Sequence, residues 1–171
     1  AKAAEAMQLF KEANQMLNQL DKNYHVHIIF RLCEANADGD NLIVDKISYR
    51  FHDPERFDIV VFPFRYADKT YYIKRIIGLP GETVYIDEEG TIYIDGEVLN
   101  ENFGKEVIQD PGRAYEPVKL GTDEYFVLGD NRNNSSDSRD PVVGNIHRDE
   151  LIGKAWMRIY PFDQMCIIKH Q

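Results

Sequence analysis

Cysteine is scarce in this chain: Cys33 and Cys166 are the two among 171 residues, far apart and without CxxC spacing. Such a pair builds neither a zinc site nor a disulfide framework, and leaves a single long-range disulfide as the one cross-link open to it. Clusters of Lys and Arg are missing as well, and the formal net charge is −9. A surface that binds nucleic acid needs clustered positive charge, so no nucleic-acid partner is indicated. Long apolar runs are absent, the longest being about VHIIF, far short of the ~20 residues that cross a bilayer. The first residues are polar and helical in character rather than those of a signal peptide, so the chain as written is expected to be soluble. No serine precedes Ser48, which removes serine chemistry from the N-terminal part of the chain.

What is present points to strands. Ten Tyr and nine Phe accompany many Val and Ile, with Gly and Pro scattered throughout, the composition of a mainly β domain. The length suits one sizeable core with an appendage. Residues 1–21 are the exception: Ala3, Ala6, Met7, Phe10, Ala13, Leu17 and Leu20 recur at three-to-four spacing among strong helix formers, which predicts an amphipathic helix. In HVHIIFRLC, residues 25–33, Val26, Ile28, Phe30 and Leu32 alternate as on a strand. His25 and His27 share the other face with no third ligand nearby, so no metal site is read there. From Asp38 onward short strands follow one another: NLIVDKISYRF, FDIVVFPF, TYYIKRIIG, a hairpin in ETVYIDEEGTIYIDGEVL, EYFVLGD and KAWMRIYPF. A polar connection over 100–122 separates the hairpin from the next strand. The expected fold is mainly β, with two antiparallel sheet regions, a smaller hairpin-containing insertion over about 83–122 and an added N-terminal helix.

Two stretches carry chemistry. In YYIKRIIG, alternation puts Lys74 on one face and Arg75 on the other, so one of two adjacent basic residues points inward. A lysine held in an apolar wall is disfavoured as the ammonium, and its neutral amine can take a proton from a hydroxyl with no histidine involved. A lysine at a sheet margin, with a packed stem and a wet head, is the plainer alternative. In GDNRNNSSDSRD, residues 129–140, Asp130, Arg132, Asp137 and Arg139 stand among Asn131, Ser135, Ser136 and Ser138. That density can build a network of forked Arg–carboxylate pairs beside a site.

These residues carry a resemblance. DIVVFPF, YYIKRIIGLPGETV, IYIDGEVLNE, YFVLGDNRNNSSDSRD and VGNIHRDELIGKAWMRIYPF, in that order, resemble the catalytic domain of bacterial type I signal peptidases over residues 38 to about 162. The resemblance implies a membrane-anchored serine endopeptidase with an extracytoplasmic catalytic domain. Such an enzyme uses a Ser/Lys dyad on a β-rich fold to cut extended signal peptides after small residues at −1 and −3. It implies Lys74 as general base, Ser135 as the serine hydrogen-bonded to it, and Asp137 and Arg139 as support, within a network that also holds Asp130, Asn131, Arg132 and Ser138. No metal, nucleotide or other cofactor is implied.

The chain departs from that pattern before Asp38. The family's nucleophile lies in S-M-x-P-T-L just ahead of a D-G-D-like triplet. Counting back without gaps from Asp38, Gly39 and Asp40 puts it at Arg31, with Cys33 as a surrogate two residues later. The chain is therefore read as 1–37, a helix and leading strand unlike the family, followed by the signal-peptidase-like domain, 38–171. It is a hydrolase scaffold whose serine is missing; the alternative is a silent, diverged or engineered module that binds peptides or partners. A self-cleaving repressor-type Ser/Lys protease is disfavoured by the acidic charge and the lack of a helix-turn-helix.

Overall fold

The structure is a computed structural model that describes residues 29–31, 41–68, 70–160 and 166–168. The helix expected over 1–21, both strand histidines and Cys33 lie outside the described residues. What is described is mainly β and antiparallel, as the sequence predicts, and divides into two compact units.

Of the described residues, one unit holds those up to Asp53 and those from Gly153 onward. In it β1 (Ile29–Arg31) pairs with β2 (Asn41–Asp45), which pairs in turn with β11 (Gly153–Tyr160), and β11 carries the short β12 (Cys166–Ile167). The strand expected over 41–51 stops at Asp45. Its carboxylate accepts the N–H groups of Ile47 and Ser48, at 2.8 and 3.1 Å, and the Ser48 hydroxyl as well. A short Asp side chain that captures the next backbone donors turns the chain out of the ladder, and residues Ser48–Arg50 form a 3-10 turn.

The other unit, Pro54–Ile152, holds two sheets. In the first, β3 (Ile59–Pro63), β4 (Tyr71–Gly78), β9 (Glu124–Leu128) and β10 (Ile146–His147) lie side by side. In the second, the order is β7 (Glu97–Val98), β6 (Ile92–Ile94), β5 (Thr83–Ile86) and β8 (Val118–Lys119). The β6–β7 turn is Asp95–Gly96, with φ of 51° and 87°. Positive φ at both central residues is what a two-residue hairpin turn of matching twist requires. Ile77, Val84, Ile86, Ile92, Ile108, Leu120, Phe126 and Leu128 close into one core. Each such side chain, removed from water, contributes roughly 1.5–3 kcal/mol before chain entropy is counted.

The strand that matters for chemistry is β4. From Lys74 to Gly78 it is buried at every position. The expectation that one of Lys74 and Arg75 points inward is corrected: both are 5% exposed. With β3 and β9 on its edges and residues of both faces buried from Lys74 to Gly78, β4 has no wet side there, so each cation needs its own partners.

Candidate active site

Lys74 sits on β4 opposite Val60 of β3. Its Nζ donates to the Ser135 Oγ at 3.0 Å and lies 5.1 Å from the centre of the Tyr72 ring. Ser135 is half-buried and lines a cleft of about 670 Å³ together with Gly112, Arg113, Arg132, Asn133 and Arg139. The lysine is thus shielded while its partner can be reached from solvent.

Ser135 reaches the lysine because the segment after β9 folds back along it. Ser138 donates its N–H to the Val127 carbonyl at 3.0 Å, and its Oγ accepts the Val127 N–H at 2.9 Å. Asp137 is fully buried, and its two oxygens take the Arg139 guanidinium as a fork, both bonds 2.9 Å. Asp137 also accepts the Gly129 N–H at 3.1 Å. Arg139 also donates to the carbonyls of Asp110, at 3.0 Å, and Arg132. A buried charge pair is tolerable only when its spare donors and acceptors are filled in this way. Arg113 donates to the Ser138 carbonyl at 2.6 Å; burial pulls its guanidinium below its ordinary range, with the Glu124 carboxylate opposing.

Arg75 serves the opposite face of β4. It forks onto Asp130 at 2.8 and 2.7 Å, donates to the Phe57 carbonyl at 3.0 Å and lies 3.9 Å from the centre of the Phe103 ring. Arg132 pairs with Glu101 at 2.8 Å, and Asn131 accepts the Asn134 N–H at 3.1 Å. Lys74, Ser135, Asp137, Arg139 and Asp130 are therefore joined by direct bonds or through Gly129 and β4, and Ser138 ties the same segment to Val127 of β9. Asn131 and Arg132 lie in the same segment.

Arg31 is the last residue of β1, paired in register with Asn41. Among the described residues no group of three or more His, Cys, Asp or Glu is placed to hold a metal ion, and no helix is long and apolar enough to cross a membrane.

Two residues escaped the reading of the sequence. Gly129 has no room for a side chain, since an added Cβ would stand 2.6 Å from the Ser135 Cβ and 3.7 Å from the Lys74 Nζ. The glycine that ends an apolar strand just before the polar segment was the available signal. Phe103, an aromatic in a polar loop, carried no signal of its own.

A family model described as signal peptidase, peptidase S26, matches residues 34–160. The probable signal peptidase I-2 of Synechocystis sp. is 44% identical over 135 residues, covering 76% of this chain and 59% of the relative. Signal peptidase I of Leptolyngbya laminosa is 42% identical over 134 residues, covering 74% and 63%. The crystal structure of a signal peptidase I from Enterococcus faecalis V583 superposes with a TM-score of 0.50 at 35% identity, over 60% of this chain and 97% of that one. The chain thus spans about three fifths of the length of the two relatives named. A family match over most of the chain, relatives at these identities and the same fold lead to one conclusion: the chain belongs to the signal peptidase family, peptidase S26.

Proposed function

We propose that the chain carries the base half of a Ser/Lys-type endopeptidase that removes signal peptides from exported proteins. The observation that supports this is the buried Lys74 amine donating to Ser135 at 3.0 Å. Burial favours the neutral amine, and a hydroxyl that holds it in one orientation leaves its lone pair for a nucleophile's proton. The nucleophile adds to the scissile carbonyl, its proton passes to Nζ, and Nζ then hands that proton to the leaving amine. Water repeats the cycle on the acyl intermediate. The substrate is an extended peptide with small side chains at −1 and −3, bound by strand addition at a membrane surface on the extracytoplasmic side.

The nucleophile is the open half of the proposal. By ungapped count its place is taken by Arg31, whose guanidinium cannot attack a carbonyl, and Cys33 is the nearest group that can. That count favours a second reading, a module that binds peptides without turning them over. Cleavage and binding of a fluorogenic peptide with an Ala-x-Ala site, in detergent at pH 8, separate the two when Cys33→Ala and Lys74→Ala are run alongside. Turnover lost in both variants assigns the thiol, and turnover lost only without Lys74 assigns another nucleophile. Saturable binding without turnover supports the module. A peptide neither bound nor cut ends both readings.

A further inference from the structure

A second segment, 101–113, runs beside 129–139 and bonds to it repeatedly, a feature that base and serine alone do not require. Lys105 donates its N–H to the Asp130 carbonyl at 2.9 Å, and Gln109 donates its own to the Asn133 Oδ1 at 2.9 Å. The Asn133 Nδ2 returns to the Val107 carbonyl at 2.9 Å, and Arg113 donates its N–H to the Arg139 carbonyl at 3.0 Å. Phe103 stands at the front of this arm. Its ring lies over the Arg75 guanidinium at 3.9 Å and against the Phe57 ring at 5.0 Å. The Phe57 carbonyl takes the third Arg75 donor.

We infer that Phe103 is a positioning residue for Lys74, an inference that rests on reading Lys74 as the base. The ring covers one face of the Arg75 guanidinium, which is buried although its Asp130 partner is 37% exposed, and a cation over a ring is strongest where it is desolvated. The Arg75–Asp130 fork ties β4 to the residue next to Gly129, and Gly129 is where the backbone abuts Ser135. With the ring gone, water reaches the Arg75 side of the fork as well, the segment from Asp130 to Ser135 loosens, and the Lys74 amine becomes hydrated. Hydration favours the ammonium, so the lysine titrates at higher pH. Among the described residues, the ionisable groups near the amine include Tyr72 on its own strand, Asp137 with Arg139 behind Gly129, and Arg75 with Asp130 on the far face of β4; β3 presents Val60.

The test follows the Lys74 Cε resonance against pH in protein labelled with 13C-lysine, assigned by its loss in Lys74→Met. Phe103→Leu keeps the apolar bulk and removes the aromatic face, and Phe103→Tyr keeps the face. The expected result is a Lys74 midpoint raised by about half a unit or more in Phe103→Leu and restored in Phe103→Tyr. A midpoint unmoved in Phe103→Leu, or moved equally in both, overturns the assignment. Because the titration needs no turnover, it is decided separately from the cleavage assay: a chain that cuts nothing can still show the shift, and one that cuts peptide can fail to.

Discussion

Lys74 and Arg75 are neighbours on one strand, equally buried, and each is held by a different part of the same returning segment. Lys74 meets Ser135 at 3.0 Å on one face, and Arg75 forks onto Asp130 on the other. Their two partners stand only five positions apart in the chain, so one short segment meets β4 on both of its faces.

The serines of that segment divide their work, and substitution should show it. Ser138→Ala removes the acceptor for the buried Val127 N–H and leaves that donor unpaired, a cost of about 1–3 kcal/mol. Ser135→Ala removes the lysine's acceptor at a half-buried position and should cost less stability. Urea unfolding of both variants checks the order. If Ser135→Ala proves the more destabilising, Ser135 is the structural residue of the two.

Gly129→Ala should destabilise by about 1–3 kcal/mol, the range for overfilling a packed site, because the new methyl meets the Ser135 Cβ at 2.6 Å. Ser135→Gly removes the obstruction, so the double variant should recover most of the loss. Unfolding curves for the two single variants and the double variant form the cycle that measures this. Strict additivity would mean that the strain falls elsewhere.

The sequence disclosed more of the site than of what supports it. Lys74 and the Asp137–Arg139 pair stand out because charge in apolar or densely polar surroundings needs partners. The hairpin after Glu82 is visible in its alternation and turn residues. Phe103 and Glu101 sit in a polar stretch with no periodicity, and their work is done through contacts to residues 75, 57 and 132 that no local pattern encodes. The early end of β2 was hidden for a different reason. Alternation continues past Asp45, but the Asp45 carboxylate competes for the backbone donors of Ile47 and Ser48, and propensity does not weigh that competition. Burial of both Lys74 and Arg75 depends likewise on layers supplied from far along the chain.

Asp137→Asn tests the buried fork. The substitution keeps the shape, but it leaves the Arg139 cation without its counter-charge and puts an amide donor where an acceptor is needed. Removing one partner of a buried pair costs about 3–5 kcal/mol, and a loss of that size is expected in urea unfolding at pH 7. A loss under about 1 kcal/mol, the scale of exposed pairs, would show that water reaches the fork.

Glu150 gives the pH-dependent case. Burial acts to raise its carboxyl, but the Arg65 fork at 2.6 and 2.5 Å and the His147 N–H at 2.8 Å outweigh it and hold the group below the ordinary carboxylate range. A folded-state value below the unfolded one means that stability is present above the unfolded carboxyl's pKa, about 4.3, and is lost as pH falls through the lower folded value. Glu150→Gln should therefore be less stable than the parent at pH 7, by no more than about 1 kcal/mol since Arg65 is well exposed. The two should converge as the solution is acidified below pH ~4, where the parent's carboxylate becomes protonated. Urea unfolding at neutral and at acid pH reads the gap directly. A gap of constant size would assign the effect to the shape of the 3-10 turn at Arg148–Glu150 rather than to the charge on Glu150.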